Sequence, residues 1–226
     1  VGIGAITIST IYWVFGFLRM GTTGLVAQAK GAGDQSEVFS NLIRGILIGF
    51  IAGLALILIQ TPLFWIALNL FQALPEVEFQ AEKYLSIRIW SAPLSISNFA
   101  LLGWLIALEK TYHVLFLQLL INILNIILDV IFVLSLGWGI EGVAFASLIA
   151  ELFGALLGLI IAIRLYQTSQ YPKLLKIFSF QEWKKLFVTN INIFFRSIVL
   201  EIVIISYVFF GSTLGTVILA RSEERR

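Results

Sequence analysis

Four polar side chains recur along one apolar stretch near the middle of the sequence. Gln118, Asn122, Asn125 and Asp129 stand at offsets of 0, 4, 7 and 11 residues, and their neighbours are mostly Leu, Ile, Val and Phe. On a helix of about 3.6 residues per turn these offsets fall on one face. A polar face of this kind is unfavourable against lipid, so we expect it to face protein or a water-filled cavity.

The chemistry available to this face is cation or proton binding. The Asp129 carboxylate can gain and lose a proton or bind a sodium ion, and Asn125, one turn earlier, would orient it. An ionisable group at membrane depth is a functional candidate by default. The alternative is structural: the amides hydrogen-bond neighbouring helices, and Asp129 is neutral or paired. The spacing leaves both interpretations open.

Three further polar residues are candidates for a cavity lining. Asn98 follows Pro93 by five residues, and a proline inside a span permits a kink beside a polar group. Glu151 and Glu201 each interrupt an apolar run. Glu201 follows Arg196 by five residues, whereas helical ion pairs favour spacings of three or four. Either glutamate could titrate, or be neutralised by a charge from another helix.

Other chemistries find little support. The chain has no cysteine and a single histidine, His113, so no disulfide framework or Cys/His metal centre is expected. No catalytic motif is present, and we predict neither an enzyme nor a resident cofactor beyond the coupling ion. The net charge of +2, without a basic stripe, does not favour nucleic-acid binding.

Composition places these residues in a membrane. The chain is 59% hydrophobic and 12% charged, with a mean hydropathy of +0.98, whereas soluble domains are about 45–50% apolar and about 25% charged. A helix needs about 20 mostly apolar residues to cross the hydrocarbon core. The sequence predicts an all-α polytopic membrane bundle with six spans: Val1–Leu18, Gly45–Phe71, Ile89–Leu108, Val114–Leu136, Ile140–Ile163 and Ile191–Leu219.

Lysine and arginine in the connecting segments predict the orientation. The first, third and fifth connections are rich in these residues, so we assign them to the cytoplasm. Their basic residues are Arg19, Lys30, Arg44, Lys110, Arg164, Lys173, Lys176, Lys184 and Lys185. We assign Lys83 and Arg88 to the opposite side with Glu76, Glu78 and Glu82. Within the fifth span, Gly154 and Gly158 form a GxxxG pair that predicts close helix packing.

Particular segments resemble transporters of the multidrug and toxic compound extrusion (MATE) family, DinF type. They are FGFLRMGTTGLVAQAKG (Phe15–Gly31), NIILDVIFVLSLGWGIEGVAFASLIAE (Asn125–Glu151), SAPLSISNFALLGW (Ser91–Trp104) and FFRSIVLE (Phe194–Glu201). The first two are long and specific. Together the matches cover almost all of the chain, up to about Ala220.

The resemblance implies a multi-pass transporter of the plasma membrane with twelve helices in two lobes that rock around a central cavity. Such proteins export organic cations in exchange for protons or sodium ions, and the full-length protein is expected to be a monomer. In the family, an Asn and an Asp four residues apart on helix five help form an ion site. They match Asn125 and Asp129.

The resemblance also implies a domain division. Residues 1–166 correspond to most of the N-terminal lobe (helices two to six, without helix one), and 167–190 to a cytoplasmic linker. Residues 191–220 correspond to helix seven, the first of the C-terminal lobe. The RSEERR tail at 221–226 departs from the family, which suggests a fragment. The alternatives are a non-functional membrane remnant and a lipid-linked oligosaccharide flippase of the same superfamily, for which Arg196 is the single candidate cavity charge.

Overall fold

The computed structural model describes residues 1–71, 75–166 and 177–213. Within them, the side chains of 70, 71, 201, 204, 205 and 207–213 are not described. Two of the predictions fall outside this part: the tail at 221–226, and the surroundings of Glu201.

The described residues form nine α-helices and no strand. Short 3₁₀ turns at Val14–Gly16 and Ile89–Ser91 join α1 to α2 and α5 to α6, and a π-helical turn at Val130–Ser135 follows α7. The helices are α1 (Gly2–Trp13), α2 (Phe17–Gly31), α3 (Gln35–Leu58), α4 (Gln60–Phe71), α5 (Pro75–Arg88), α6 (Ala92–Ala107), α7 (Thr111–Asp129), α8 (Gly139–Leu165) and α9 (Phe180–Thr213).

Five helical segments of the described part are long and apolar enough to cross a bilayer. They are Gly2–Gly31, Gln35–Leu58, Pro75–Ala107, Thr111–Ser135 and Gly139–Leu165. The last two agree with the predicted fourth and fifth spans to within three residues. The first ends later than predicted, the third begins earlier, and the second both begins and ends earlier.

The predicted first connection was wrong. Instead of ending at Leu18, the first span continues through Arg19 to Gly31, and the turn lies at 32–34. Gly33 has a φ of +72°, which glycine adopts without strain. Asp34 then caps α3, since its carboxylate accepts a hydrogen bond of 3.0 Å from the backbone N–H of Glu37.

Two further predicted boundaries were also wrong. The second span begins at Gln35, so Arg44 lies within α3, and it ends at Leu58, because Pro62 in the next turn has no N–H for the Leu58 carbonyl. The third span begins at Pro75, which places Arg88 inside the bundle rather than in an outer loop. Pro93 likewise explains the 3₁₀ turn at 89–91, since it cannot donate to the Ile89 carbonyl.

The predicted linker at 167–190 is partly helical. Residues 167–176 are outside the described part, but α9 begins at Phe180 and reaches Thr213. Residues 191–213 of the predicted sixth span are therefore the later part of one 34-residue helix, and 214–219 lie outside the described residues. This helix packs against α2, where a methyl group on Gly21 would overlap the Asn190 side chain.

The closest helix packing joins α3 to α6 along a seam of small residues. A methyl group on any of the three α3 glycines would lie 2.3–2.8 Å from an atom of α6. Such close approach is typical of membrane helices that pack through small residues. The facing pairs are Gly45 with Ala100, Gly49 with Ser97, and Gly53 with Pro93.

One ion pair lies at each end of the bundle. Lys30 Nζ lies 2.9 Å from Glu109 Oε1 at one end, and Lys83 Nζ lies 3.3 Å from Glu141 Oε1 at the other. The first pair joins the last turn of α2 to the α6–α7 turn, as expected if both lie on the same side of the membrane. The predicted cytoplasmic location of that side stays a prediction.

Candidate functional site

The polar face of α7 is divided between a covered and an open side. Gln118 and Asn122 are exposed, whereas Asn125 and Asp129 are half-buried where α7 meets α8. The packing is fixed by Gly154 of α8, since a methyl group there would lie 2.3 Å from Ile121 Cδ1. This confirms the predicted packing role of that glycine.

Asn125 connects α7 to α8. Its Nδ2 donates a hydrogen bond of 3.0 Å to Ser147 Oγ. The structure shows no hydrogen bond between Asn125 and Asp129. Asn125 therefore makes the interhelical hydrogen bond that the amide alternative describes.

Asp129 ends α7 and precedes the π-helical turn. Turns of this kind are rare and recur at functional sites. Its Oδ1 is enclosed and has no hydrogen-bond partner among the described residues. A carboxylate oxygen in this position has lone pairs available for a proton or a small cation. Among the predicted carboxylates whose side chains are described, Asp129 is therefore the one that has an oxygen without a partner.

The second carboxylate, Glu151, lies in a different environment. The Arg88 guanidinium contacts it through two hydrogen bonds, Nη2 to Oε1 at 2.7 Å and Nη1 to Oε2 at 3.0 Å. Ser95 Oγ donates to the same Oε2. The exposed fractions of the two charged side chains are only 8% for Arg88 and 24% for Glu151. Glu151 is therefore paired, which was one of the two predicted possibilities.

Tyr12 extends this cluster to the first span. Its hydroxyl donates a hydrogen bond of 3.0 Å to the backbone carbonyl of Arg88 and lies 3.1 Å from Ser91 Oγ. The contact falls where the proline at 93 interrupts the helix. The Arg88–Glu151 cluster therefore joins three spans at a point where backbone hydrogen bonding is broken.

Asn98 forms no hydrogen bond with Asp129 or Glu151. It borders a cavity of about 100 Å³ whose walls are mostly apolar, from Ile46 and Phe50 to Leu159, and its Oδ1 has no hydrogen-bond partner among the described residues. The structure thus supports a cavity-lining position for Asn98. It does not bring Asn98 into hydrogen-bonding contact with Asp129.

Sequence reasoning missed three arginines inside the spans, Arg19, Arg44 and Arg88, because each was assigned to a connecting segment. A signal was present for the first. Leu18, Thr22 and Leu25 are buried at helical spacing, and the same face continues through Val26 and Ala29. That periodicity predicts a helix that continues past Arg19 to the GAGD turn.

The fold and these groups define a multi-pass α-helical membrane protein with ionisable residues inside its bundle, a pattern typical of ion and solute transporters. Comparison with known families then identifies the class. The MatE family profile matches residues 1–131, and the chain belongs to this family, which is a family of transporters rather than enzymes.

Two curated relatives support the DinF-type resemblance. The chain is 34% identical to DNA damage-inducible protein F of Escherichia coli (strain K12) over 221 residues, which are 97% of this chain and 48% of the relative. It is 32% identical to the probable multidrug resistance protein NorM of Rhizobium meliloti (strain 1021) over 59% of this chain and 29% of the relative. The chain spans about half the length of the first of these.

Solved structures share the fold. A crystal structure of MATE in complex with MaD5 superposes with a TM-score of 0.79 at 20% identity, covering 97% of this chain and 50% of the other. A MOP superfamily transporter from Pyrococcus furiosus Vc1 (DSM3638) superposes with a TM-score of 0.73 at 21% identity, over 90% and 44%. The predicted helical membrane bundle is thereby confirmed.

Proposed function

We propose that this chain carries the coupling-ion site of an antiporter that exports organic cations across the plasma membrane in exchange for protons or sodium ions. The observation that carries the proposal is the enclosed, unpartnered Oδ1 of Asp129 beside a π-helical turn. Among the membrane-embedded carboxylates whose side chains are described, Glu151 is already neutralised by Arg88. Asp129 is therefore the better candidate for reversible binding of a cation.

The open side of α7 supports a solute pathway next to this site. Gln118 and Asn122 present amide groups on an otherwise apolar surface, which is costly against lipid and favourable against water. We assign them to the wall of the transport cavity. Ion release from Asp129 and solute passage along α7 would then take place on the same helix.

The test is the Asp129→Asn substitution, which keeps the size of the side chain and removes its charge. In cells that express the gene encoding this chain, we expect efflux of a fluorescent organic cation such as ethidium to be lost. Collapsing the proton gradient and the sodium gradient separately identifies the coupling ion. Unchanged gradient-driven efflux in this variant would contradict the proposal.

A binding measurement tests the ion site without transport. The purified chain in lipid nanodiscs is titrated with radioactive sodium and, separately, followed for proton uptake. The matched control is Glu109→Gln, which removes an exposed carboxylate just before the opposite end of α7. We expect ion binding to be lost in Asp129→Asn and kept in the control.

A further inference from the structure

The first turns of α9 extend beyond what the membrane requires. The helix has 34 residues, which at about 1.5 Å per residue gives a length of about 51 Å. The hydrocarbon core is only about 30 Å thick. Glu182, Lys184 and Lys185 all fall in the first two turns, so this end of α9 is the part that projects past the core. Contacts with the protein, rather than with lipid tails, therefore determine its position.

A buried arginine of α3 contacts the chain at the start of this helix. The Arg44 side chain is completely buried, and its Nη1 lies 2.6 Å from Oε1 of Glu37, which is itself only 14% exposed. Asn41 Oδ1 accepts a further hydrogen bond from Nη1 at 3.3 Å. A buried charge is costly unless it is paired and hydrogen-bonded. Glu37 and Asn41 supply this compensation from within α3, while the Nε–H of Arg44 is directed to another segment.

That Nε–H donates to the residue chain just before α9. Arg44 Nε forms a hydrogen bond of 3.0 Å with the backbone carbonyl of Ile177. Trp183 Nε1, near the start of α9, donates to the same carbonyl at 2.9 Å. A carbonyl oxygen has two lone pairs, and a hydrogen bond from a charged donor is stronger than one from a neutral donor. One carbonyl is therefore held from both α3 and α9.

A second contact holds the same segment further along α9. Leu186 and Asn190 are buried, and Asn190 Nδ2 donates a hydrogen bond of 2.9 Å to the Leu186 carbonyl. The Asn190 side chain is thereby held between its own helix and α2, where it leaves no room for a methyl group on Gly21. The start of α9 is thus attached to the bundle at two places, before its first turn and at Asn190.

The described residue on the other side of 167–176 contacts α3 as well. Tyr166, which follows the last residue of α8, stacks on Phe39 of α3 with ring centroids 3.9 Å apart and an angle of 18° between the rings. Phe39 also meets Trp104 of α6 edge to face. Aromatic pairs in these arrangements stabilise packing beyond the area that they bury. The chain is therefore attached to α3 on both sides of 167–176.

We propose that the hydrogen bonds of Arg44 and Trp183 to the Ile177 carbonyl form a clasp that holds the start of α9 on α3, so that residues 177–190 move with α2, α3 and α6 as one body. The attached part ends at Asn190, which coincides with the predicted boundary between the linker at 167–190 and helix seven. The clasp does not involve Asp129, and it can be tested without transport. Failure of this proposal would therefore leave the proposed ion site unaffected.

Hydrogen–deuterium exchange measures whether the clasp holds this segment. The purified chain in phosphatidylcholine nanodiscs is compared with Arg44→Lys, which keeps the positive charge beside Glu37 and removes the Nε–H. We expect the amides of 178–190 to exchange about tenfold faster in this variant, because a charge-assisted hydrogen bond is lost. The amides of α6 are the internal reference and should exchange as in the parent. Unchanged exchange in 178–190 would overturn the proposal.

Two matched variants on α9 separate the clasp from other effects. Trp183→Phe keeps an aromatic ring and removes the second donor to the Ile177 carbonyl, so exchange in 178–190 should be about threefold faster. Lys184→Gln removes an exposed charge from the neighbouring position and should leave exchange unchanged. If Arg44→Lys also alters exchange in α6, the two α9 variants decide: equal exchange in Trp183→Phe and Lys184→Gln would refute the clasp.

A distance measurement tests whether the clasp sets the position of α9. The chain has no cysteine, so spin labels can be attached at introduced cysteines alone. Phe187→Cys on α9 is paired with Tyr112→Cys at the start of α7, and Leu58→Cys with Tyr112→Cys is the control pair; all three positions are exposed. We expect Arg44→Lys to broaden the distance distribution of the first pair and to leave that of the control pair unchanged. A first-pair distribution as narrow as in the parent would show that the position of α9 does not depend on the clasp.

Discussion

Glu151 and Asp129 are both carboxylates on neighbouring spans, but they differ in what surrounds them. Glu151 receives two hydrogen bonds from Arg88 and one from Ser95, and the cluster reaches Tyr12 in a third helix. Asp129 has an enclosed oxygen without a hydrogen-bond partner in the described part of the chain. One carboxylate is neutralised within the fold, and the other is left available.

The comparison shows how one helical bundle can contain both a carboxylate that is paired within the fold and one that is left unpaired. A buried charge pair is strongly destabilised when one partner is removed, because the other stays uncompensated. An unpaired carboxylate has no such partner to lose and can exchange a proton or cation. The two carboxylates of this bundle are thus distinguished by their partners.

The largest effect is expected at the paired carboxylate. Arg88→Met leaves the Glu151 charge without compensation and should destabilise the protein by about 3–5 kcal/mol. The measurement is the free energy of unfolding in mixed detergent micelles. The double variant Arg88→Met with Glu151→Met removes both charges and should recover most of the loss. Absence of such recovery would show that the cluster acts through packing rather than charge.

A smaller effect is expected at the hydrogen bond between Asn125 and Ser147, which joins α7 to α8 near Asp129. Ser147→Ala removes the hydrogen bond from Asn125, and interhelical hydrogen bonds in membranes contribute about 0.6 kcal/mol on average. We expect a loss of this size in the free energy of unfolding, with weaker ion binding because α7 is less firmly held. A control is Ser206→Ala on α9, whose hydroxyl bonds only its own helix. If Ser147→Ala and the parent bind the ion with equal affinity, the Asn125–Ser147 hydrogen bond does not contribute to ion binding.

The smallest effect is expected at a surface pair. Lys30 donates a hydrogen bond to Glu109, and this bond and the lysine charge lower the pKa of that fully exposed carboxyl. Since the folded-state pKa is lowered, any stabilisation is present above the unfolded-state pKa and is lost as the pH falls through the folded-state value. Lys30→Met should raise the Glu109 pKa towards its ordinary value, measured by NMR titration, without a measurable change in Tm at neutral pH. A large fall in Tm would mean that this pair is not solvent-screened.

Much of the fold could be predicted from the sequence, since hydropathy alone identifies a membrane bundle and gives the limits of α7 and α8. The errors share one cause. Arg19, Arg44 and Arg88 bounded the predicted apolar runs, although all three lie inside longer helical segments. Hydropathy identifies the residues that can contact lipid. A helix, however, continues as long as its backbone hydrogen bonds can form and its buried side chains can pack.

The candidate site was predicted in part. The spacing of Asn125 and Asp129 placed both on one helix face, and the structure agrees. The partners of the polar residues could not be predicted, because they depend on packing between distant segments. Glu151 is 63 residues from Arg88, and Asn125 is 22 residues from Ser147. A single sequence gives the polar groups of each helix but not which groups meet.

The small-residue seam between α3 and α6 has a mechanical consequence. Backbone atoms touch there, so no side chain can change rotamer to let one helix slide along the other. Packed surfaces of this kind resist continuous deformation. We therefore expect any change of shape in the described part of the chain to occur where the helices are interrupted, at 14–16, 59, 89–91 and 130–135. We expect the α3–α6 pair to move as one rigid unit, with the bending confined to those interruptions.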